Sequence, residues 1–236
     1  MSNIILLIPD GVGVRNYVYS NFTTNLISEG NNVLLYHKLS NSAIQEIKTH
    51  KPQITNFKEI PSFLESSTTR LLRESLVYAR LQIGKKKLKN NSILEFWTPS
   101  KKGLKKKILY GLAEVLGFIL SKNYKLVKNL EKYYDNKISS LAITKEIKDF
   151  LLNFKPDLVI NLHQRAIITP PIIEAAKSLN ITTSTVIFSW DNIPKARLIS
   201  RYDYYFVWSN LMRKELKLLY PEIHNNQIKV SGTPQF

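Results

Sequence analysis

The sequence predicts an α/β fold: a doubly wound, mostly parallel sheet flanked by helices, with a basic helical insert. Three observations carry that reading. Short, nearly continuous apolar runs, 4–8 and 158–162 among them, alternate with amphipathic stretches, and such runs are the mark of strands buried on both faces. Strand-helix-strand order recurs at both ends of the chain, which makes neighbouring strands parallel. The apolar runs then break off at polar clusters, and open α/β sheets bind ligands beyond the carboxyl ends of their strands. With 236 residues, 44% of them hydrophobic, the chain can build a full core and is too apolar for disorder. It is read as one domain over 1–236, with the insert at 85–137.

The first strand, 4–8, is closed by Pro9-Asp10-Gly11. A helix is predicted over 16–29, with Val18, Phe22, Leu26 and Ile27 on one side and Gly30 as its stop. A second strand follows at 32–36, then a short helix at 43–50 and a third strand at 54–57. The stretch 68–83 carries an apolar stripe of Leu71, Leu72, Leu76, Ala79 and Ile83, with Arg70, Arg73 and Arg80 on its polar side. Beyond the insert, a helix at 143–154 leads to a strand at 158–162. Pro170 and Pro171 open a helix at 172–179, where proline is tolerated, and Asn180 caps its end. Strands at 182–188 and 204–207 come next. Ser209 can cap a helix at 211–219, and a last strand lies at 228–231.

The net charge is +16, and the excess is local. Residues 85–137 hold fourteen lysines against Glu95, Glu114, Glu131 and Asp135, so ten of the sixteen net charges fall in that segment. An excess of this kind calls for an anionic partner surface. Phe96 and Trp97 stand beside the lysines, and 108–120 is apolar apart from Glu114. That run is shorter than the roughly twenty residues a membrane span needs. Two readings stay open: a helix lying on an anionic membrane face, and a buried core helix with lysine-rich flanks. Nucleic acid is disfavoured, since no reader motif is present and no aromatics are interleaved along strands. With no cysteine and no basic amino-terminal region before 4–8, the expected setting is cytoplasmic, peripheral on the inner face of a membrane.

Candidate site residues lie at the strand ends. The first strand is followed by Asp10, Gly11, Gly13, Arg15 and Asn16. This loop fails the G-x-G-x-x-G dinucleotide pattern because Asn16 replaces the third glycine. It reads either as a ligand-facing loop or as a plain strand-to-helix turn. His163, Gln164 and Arg165 follow 158–162, and Trp190, Asp191 and Asn192 with Lys195 and Arg197 follow 182–188. In a doubly wound sheet the crevice opens where strand order reverses. That places Asp10 and His163 on either side of one crevice, with Asp191 a strand further on. An imidazole or carboxylate there can take a proton from a hydroxyl, and the cations can hold phosphate or carboxylate. Asp191 and His163 are rival candidates for the base. The four histidines show no metal-ligand spacing, and no metal site is expected.

Several stretches carry a family resemblance. They are L-L-I-P-D-G-V-G-V-R-N-Y (6–17), P-D-L-V-I-N-L-H-Q-R (156–165), S-W-D-N-I-P-K-A-R (189–197), F-V-W-S-N-L-M-R-K-E-L (206–216), Y-P-E-I (220–223) and Q-I-K-V-S-G-T-P-Q-F (227–236). In this order they resemble bacterial glycosyltransferases of the GT-B fold, in particular those that build surface or capsular polysaccharides. The resemblance implies a Rossmann-like amino-terminal domain that binds the acceptor, a glycan or lipid-linked sugar. A second domain would bind most of the nucleotide-sugar donor, which is a co-substrate; no other cofactor is implied. In such enzymes T-P-Q-F leads into that second domain. The expectation is therefore an acceptor-side domain that works with a donor-binding domain or subunit. The glycine loop at 10–13 would face the donor diphosphate, His163 or Asp191 would be the base, and Arg165, Lys195 and Arg197 would meet phosphate or acceptor. Competing readings keep the fold and change the role: a non-catalytic recruitment subunit, a sugar-nucleotide epimerase or a polyol-phosphate transferase.

Overall fold

The computed structural model describes residues 1–195 and 197–233; Ala196 and residues 234–236, which end the T-P-Q-F stretch, lie outside them. The described residues form one seven-stranded sheet, parallel throughout, in the order β3-β2-β1-β4-β5-β6-β7. The strands are β1 (Asn3–Ile8), β2 (Asn32–His37), β3 (Asn56–Glu59), β4 (Leu158–Asn161), β5 (Thr182–Val186), β6 (Tyr204–Val207) and β7 (Ile228–Val230). The chain steps outward from β1 to β3, then returns to the other side of β1 with β4. That reversal makes the fold a doubly wound, Rossmann-like α/β sheet, with its switch point between β1 and β4. Ile4 through Ile8 are all buried because both faces of the central strand are covered.

Right-handed crossovers put the connections of the two halves on opposite faces. On one face, α1 (Gly11–Gly13), α2 (Asn21–Ser28) and α3 (Asn41–His50) accompany β1 to β3. Side chains there, such as Leu6, Tyr17, Leu35 and Ile47, form one core. On the other face, α7 (Ala142–Phe154), α8 (Pro170–Ser178) and α10 (Asn210–Leu219) bury Ile147, Ile172, Leu216 and their neighbours in a second core. An apolar groove of about 450 Å³ remains on the α2 side of the later strands. Tyr17, Phe22, Ile160, Val186 and Phe206 line it.

The helix predicted over 16–29 needs correction. It starts at Gly11 and loosens into a π turn at Val14–Val18, where the Tyr19 amide donates to the Val14 carbonyl at 3.0 Å. Ser20 then starts α2. Its Oγ accepts from the Phe22 amide, and the Ser20 and Thr23 hydroxyls both donate to the Tyr17 carbonyl. Two hydroxyl side chains at one turn thus take over backbone partners and restart the helix. The third strand also sits two residues later than predicted, because Ile54 is buried ahead of it. Asn180 adopts the left-handed conformation, φ 56°, that ends a helix.

The insert is helical and tied to the sheet domain. α4 (Ser67–Leu88) runs past residue 83 into the lysines; α5 (Leu104–Ser121) and α6 (Tyr124–Ser139) follow, after a 3-10 segment at Asn91–Phe96. Leu76, Ala79, Val127 and Tyr134 make a small third core. α5 lies close on α4 because Gly117 is bare. A Cβ there would stand 2.6 Å from the Ser75 carbonyl oxygen and 2.9 Å from Tyr78 Cβ. Gly117→Ala is expected to push the helices apart and lower stability by ~1–3 kcal/mol. Urea unfolding checks this; a variant at wild-type stability would show that the contact yields.

Below these helices lies a buried ion network. Glu131 of α6 takes Arg80 of α4 at 2.6 Å, Arg201 at 2.7 Å and Arg197 at 3.4 Å. Glu222 joins through Arg201 at 3.2 Å and receives a hydrogen bond from Tyr124 Oη at 2.6 Å. The network fastens the insert to the chain that follows α9 (Asn192–Lys195).

Candidate functional site

The switch point gathers the first group of candidates. β1 and β4 are hydrogen-bonded neighbours, with Leu7 opposite Asn161. Asp10 therefore emerges beside His163, and the two side chains meet: His163 Nδ1 is bound to Asp10 Oδ2. The other Asp10 oxygen accepts from the Val12 amide at 3.0 Å, so Asp10 caps the turn and holds the imidazole together. Burial pushes its carboxyl up, but the His163 contact and the Val12 and Gly13 amides outweigh that, and its pKa lies below the usual range. Asp10 is thus the ionised, accepting partner, which fixes the ring proton on Nδ1. Among the described residues His163 Nε2 has no hydrogen-bond partner, and its side chain is 15% exposed.

The backbone at His163 is set from beneath. Asn161, fully buried at the end of β4, accepts from the His163 amide at 3.0 Å. Its own amide donates to Tyr202 Oη at 2.7 Å and Thr169 Oγ1 at 3.2 Å, and its carbonyl accepts from Thr185 Oγ1. Phe188 packs edge-on against the imidazole, with centroids 5.1 Å apart. None of Asn161, Thr169, Tyr202 or Phe188 was among the sequence candidates. An amide in an otherwise apolar strand was the one signal that could have found Asn161.

The loop after β5 supplies the second group. Asp191 is held on both sides. Ser189 Oγ donates to one carboxylate oxygen at 2.6 Å, and Lys195 Nζ pairs with the other. Burial raises its pKa, the Lys195 and Ser189 contacts lower it, and the balance is a lowered value. Trp190 stands 68% exposed beside it. Arg165 lies within electrostatic range of both groups, though among the described residues its Nε is buried without a hydrogen-bond partner. Burial pulls its pKa down, while the charges of Asp191 and Asp10 both pull it up. One cation therefore senses both carboxylates.

The remaining candidates are placed differently. Gly13 packs against the sheet, its would-be Cβ 3.3 Å from Ile8 Cγ2 and 3.6 Å from Leu162 Cβ, whereas nothing crowds Gly11. Arg15 is exposed and its Nε donates to Asn16 Oδ1 at 3.1 Å; Asn16 is buried. Among the described residues, wholly buried Gln164 has no partner for either amide atom, and buried Asn192 Nδ2 has none either. Arg197, expected to meet phosphate or acceptor, is 3% exposed and its guanidinium lies at Glu131, over the Tyr134 ring. That position corrects the expectation: Arg197 points into the interior and braces the loop. Among the described residues no three His, Asp or Glu side chains are grouped as metal ligands.

Fold and site together define an α/β protein with an Asp–His pair at the topological switch point of a parallel sheet. No protein-family model matches the chain, and no curated protein matches its sequence. Among solved structures it is similar to the UDP-GlcNAc 2-epimerase of Methanocaldococcus jannaschii. The identity is 15% and the TM-score 0.48, over 99% of this chain and 46% of that one. The chain thus spans about half the length of that protein.

Proposed function

We propose that the chain is the acceptor-side domain of a nucleotide-sugar-dependent glycosyltransferase, working with a donor-binding domain or subunit. The observation that carries this reading is the pairing of His163 with Asp10 at the switch point, with Nε2 unpartnered among the described residues and the charge of Arg165 within range of Asp10. In this reading an acceptor hydroxyl gives its proton to Nε2, and Asp10 stabilises the imidazolium that results. The hydroxyl oxygen then bonds to the anomeric carbon of the donor, and the bond from that carbon to the nucleotide diphosphate breaks. Arg165 is the group suited to the phosphate or to an acidic acceptor. Asp191, committed to Lys195 and Ser189, positions the loop and is the weaker base. The sequence motifs support sugar transfer as the reaction class; the geometry supports the role of each side chain.

The test combines the chain with a donor-binding partner, supplied in cis or as a second polypeptide, and offers labelled nucleotide sugars with lipid and glycan acceptors. Label moving to an acceptor with release of the nucleotide diphosphate is the expected result. A sugar that stays on its nucleotide and changes configuration would make the protein an epimerase and overturn the proposal.

A further inference from the structure

We propose that the outer face of α5, with the lysine-lined cleft beside it, docks this protein onto an anionic phospholipid surface. The inference stands apart from the reaction assigned above. The sequence left α5 as either a membrane-facing helix or a core helix, and burial sets the core helix aside. Leu104, Ile108, Leu112, Val115, Phe118 and Ile119 are all exposed, between 48% and 73%. At 3.6 residues per turn they fall within an arc of roughly 120°. The side chains that do pack, Tyr110, Ala113 and Gly117, lie on the opposite side. A contiguous apolar surface of this extent is a mark of an interaction face. No helix among the described residues is long and apolar enough to cross a membrane, so α5 would lie in the interface plane.

The charge beside that arc says what covers it. A cleft of about 400 Å³ between the ends of α4 and α5 is lined by Lys85, Lys86, Lys89 and Lys122, with Phe118 at its edge. No carboxylate pairs with any of these four ammonium groups among the described residues, and Lys122 Nζ sits 4.1 Å over the Phe118 ring. Phe118 belongs to both the arc and the cleft. Apolar insertion and phosphate contact therefore occur at one place and one depth. Other occupants fit only half of this surface. A second copy would bring two lysine clefts together, and a nucleic acid would leave the apolar arc in water. Acyl chains with anionic headgroups satisfy both halves.

The test is cosedimentation of the full chain with vesicles of phosphatidylglycerol and phosphatidylcholine, against phosphatidylcholine alone. Binding to the anionic vesicles only, weakened by salt, is expected. The triple change Lys85→Gln, Lys86→Gln, Lys89→Gln should weaken it on the order of 100-fold at low salt, from ~1 kcal/mol per lysine near an anionic surface. The triple change Ile108→Gln, Leu112→Gln, Ile119→Gln should weaken binding at every salt concentration. All three of these side chains are exposed, so thermal unfolding should match wild type; if it does not, Leu112→Gln alone carries the same test. Equal binding to neutral and anionic vesicles, or none to either, would overturn the proposal. So would a dimer in solution that the apolar variant dissolves while vesicle affinity stays unchanged.

Discussion

Under the proposed glycosyltransferase function, His163→Ala is expected to slow sugar transfer by about 10²–10⁴-fold when the chain is combined with a donor-binding partner, the usual contribution of a positioned general base. Asp191→Asn should cost less than about tenfold, well short of the loss of a general base. The contrast follows from what each group is free to do. Asp191 spends one oxygen on Ser189 and the other on Lys195, and its lowered pKa makes it a poor proton acceptor. His163 spends only Nδ1, on the Asp10 carboxylate, and among the described residues Nε2 has no hydrogen-bond partner. Asp10→Asn tests the arrangement from the other side. The amide removes the negative charge that fixes the tautomer and stabilises the imidazolium, so it should lower kcat far more than it raises KM. Initial rates at saturating donor read all three. Should His163→Ala keep its rate within a few-fold while Asp191→Asn loses it, the assignment of base is reversed.

Glu131→Gln should be the most destabilising change among these, by about 3–5 kcal/mol, the usual loss on breaking a buried ion pair from one side. In the native protein this carboxylate is 6% exposed and meets Arg80, Arg197 and Arg201. The glutamine would leave the buried Arg197 guanidinium without a countercharge, and Arg80 and Arg201 with Glu222 alone. The pH dependence has a definite sign. Burial pushes the Glu131 pKa up, the arginines outweigh it, and the result lies at about 2. Its folded pKa is thus below its unfolded value, so its stabilisation is complete above about pH 4.5 and fades as pH falls towards 2. The deficit of the variant should be constant from neutral pH to about 5 and shrink below that. Guanidinium unfolding across this range would detect it. A deficit under about 1 kcal/mol at neutral pH would mean that water or a shifted side chain replaces the carboxylate.

The sequence made the parallel sheet and its switch point legible, because apolar strands and their polar ends are local signals. Asp10 and His163 could be placed on one crevice from strand order alone, although 153 positions separate them. What escaped were pairings with no local signature. Arg197 was assigned to the ligand because it follows Trp190 and Asp191 in the chain. Its partner, Glu131, sits on a helix in the insert and looked like one of four acids scattered among lysines. The start of the first helix was misplaced for a related reason. Ser20 and Thr23 read as ordinary helical residues until both are seen to donate to the Tyr17 carbonyl.

The Glu131 network also bears on how this protein can change. Residues 85–137 look, by composition, like a separable cassette. Yet Glu131 is held by Arg80, Arg197 and Arg201, which all lie outside that span. Excising the cassette would leave Arg197 without a carboxylate and Arg80 and Arg201 with Glu222 alone, and grafting it elsewhere would strand a glutamate unless those arginines travelled with it. Segment and frame are therefore one energetic unit: neither can be removed or redesigned without re-pairing buried charge in the other.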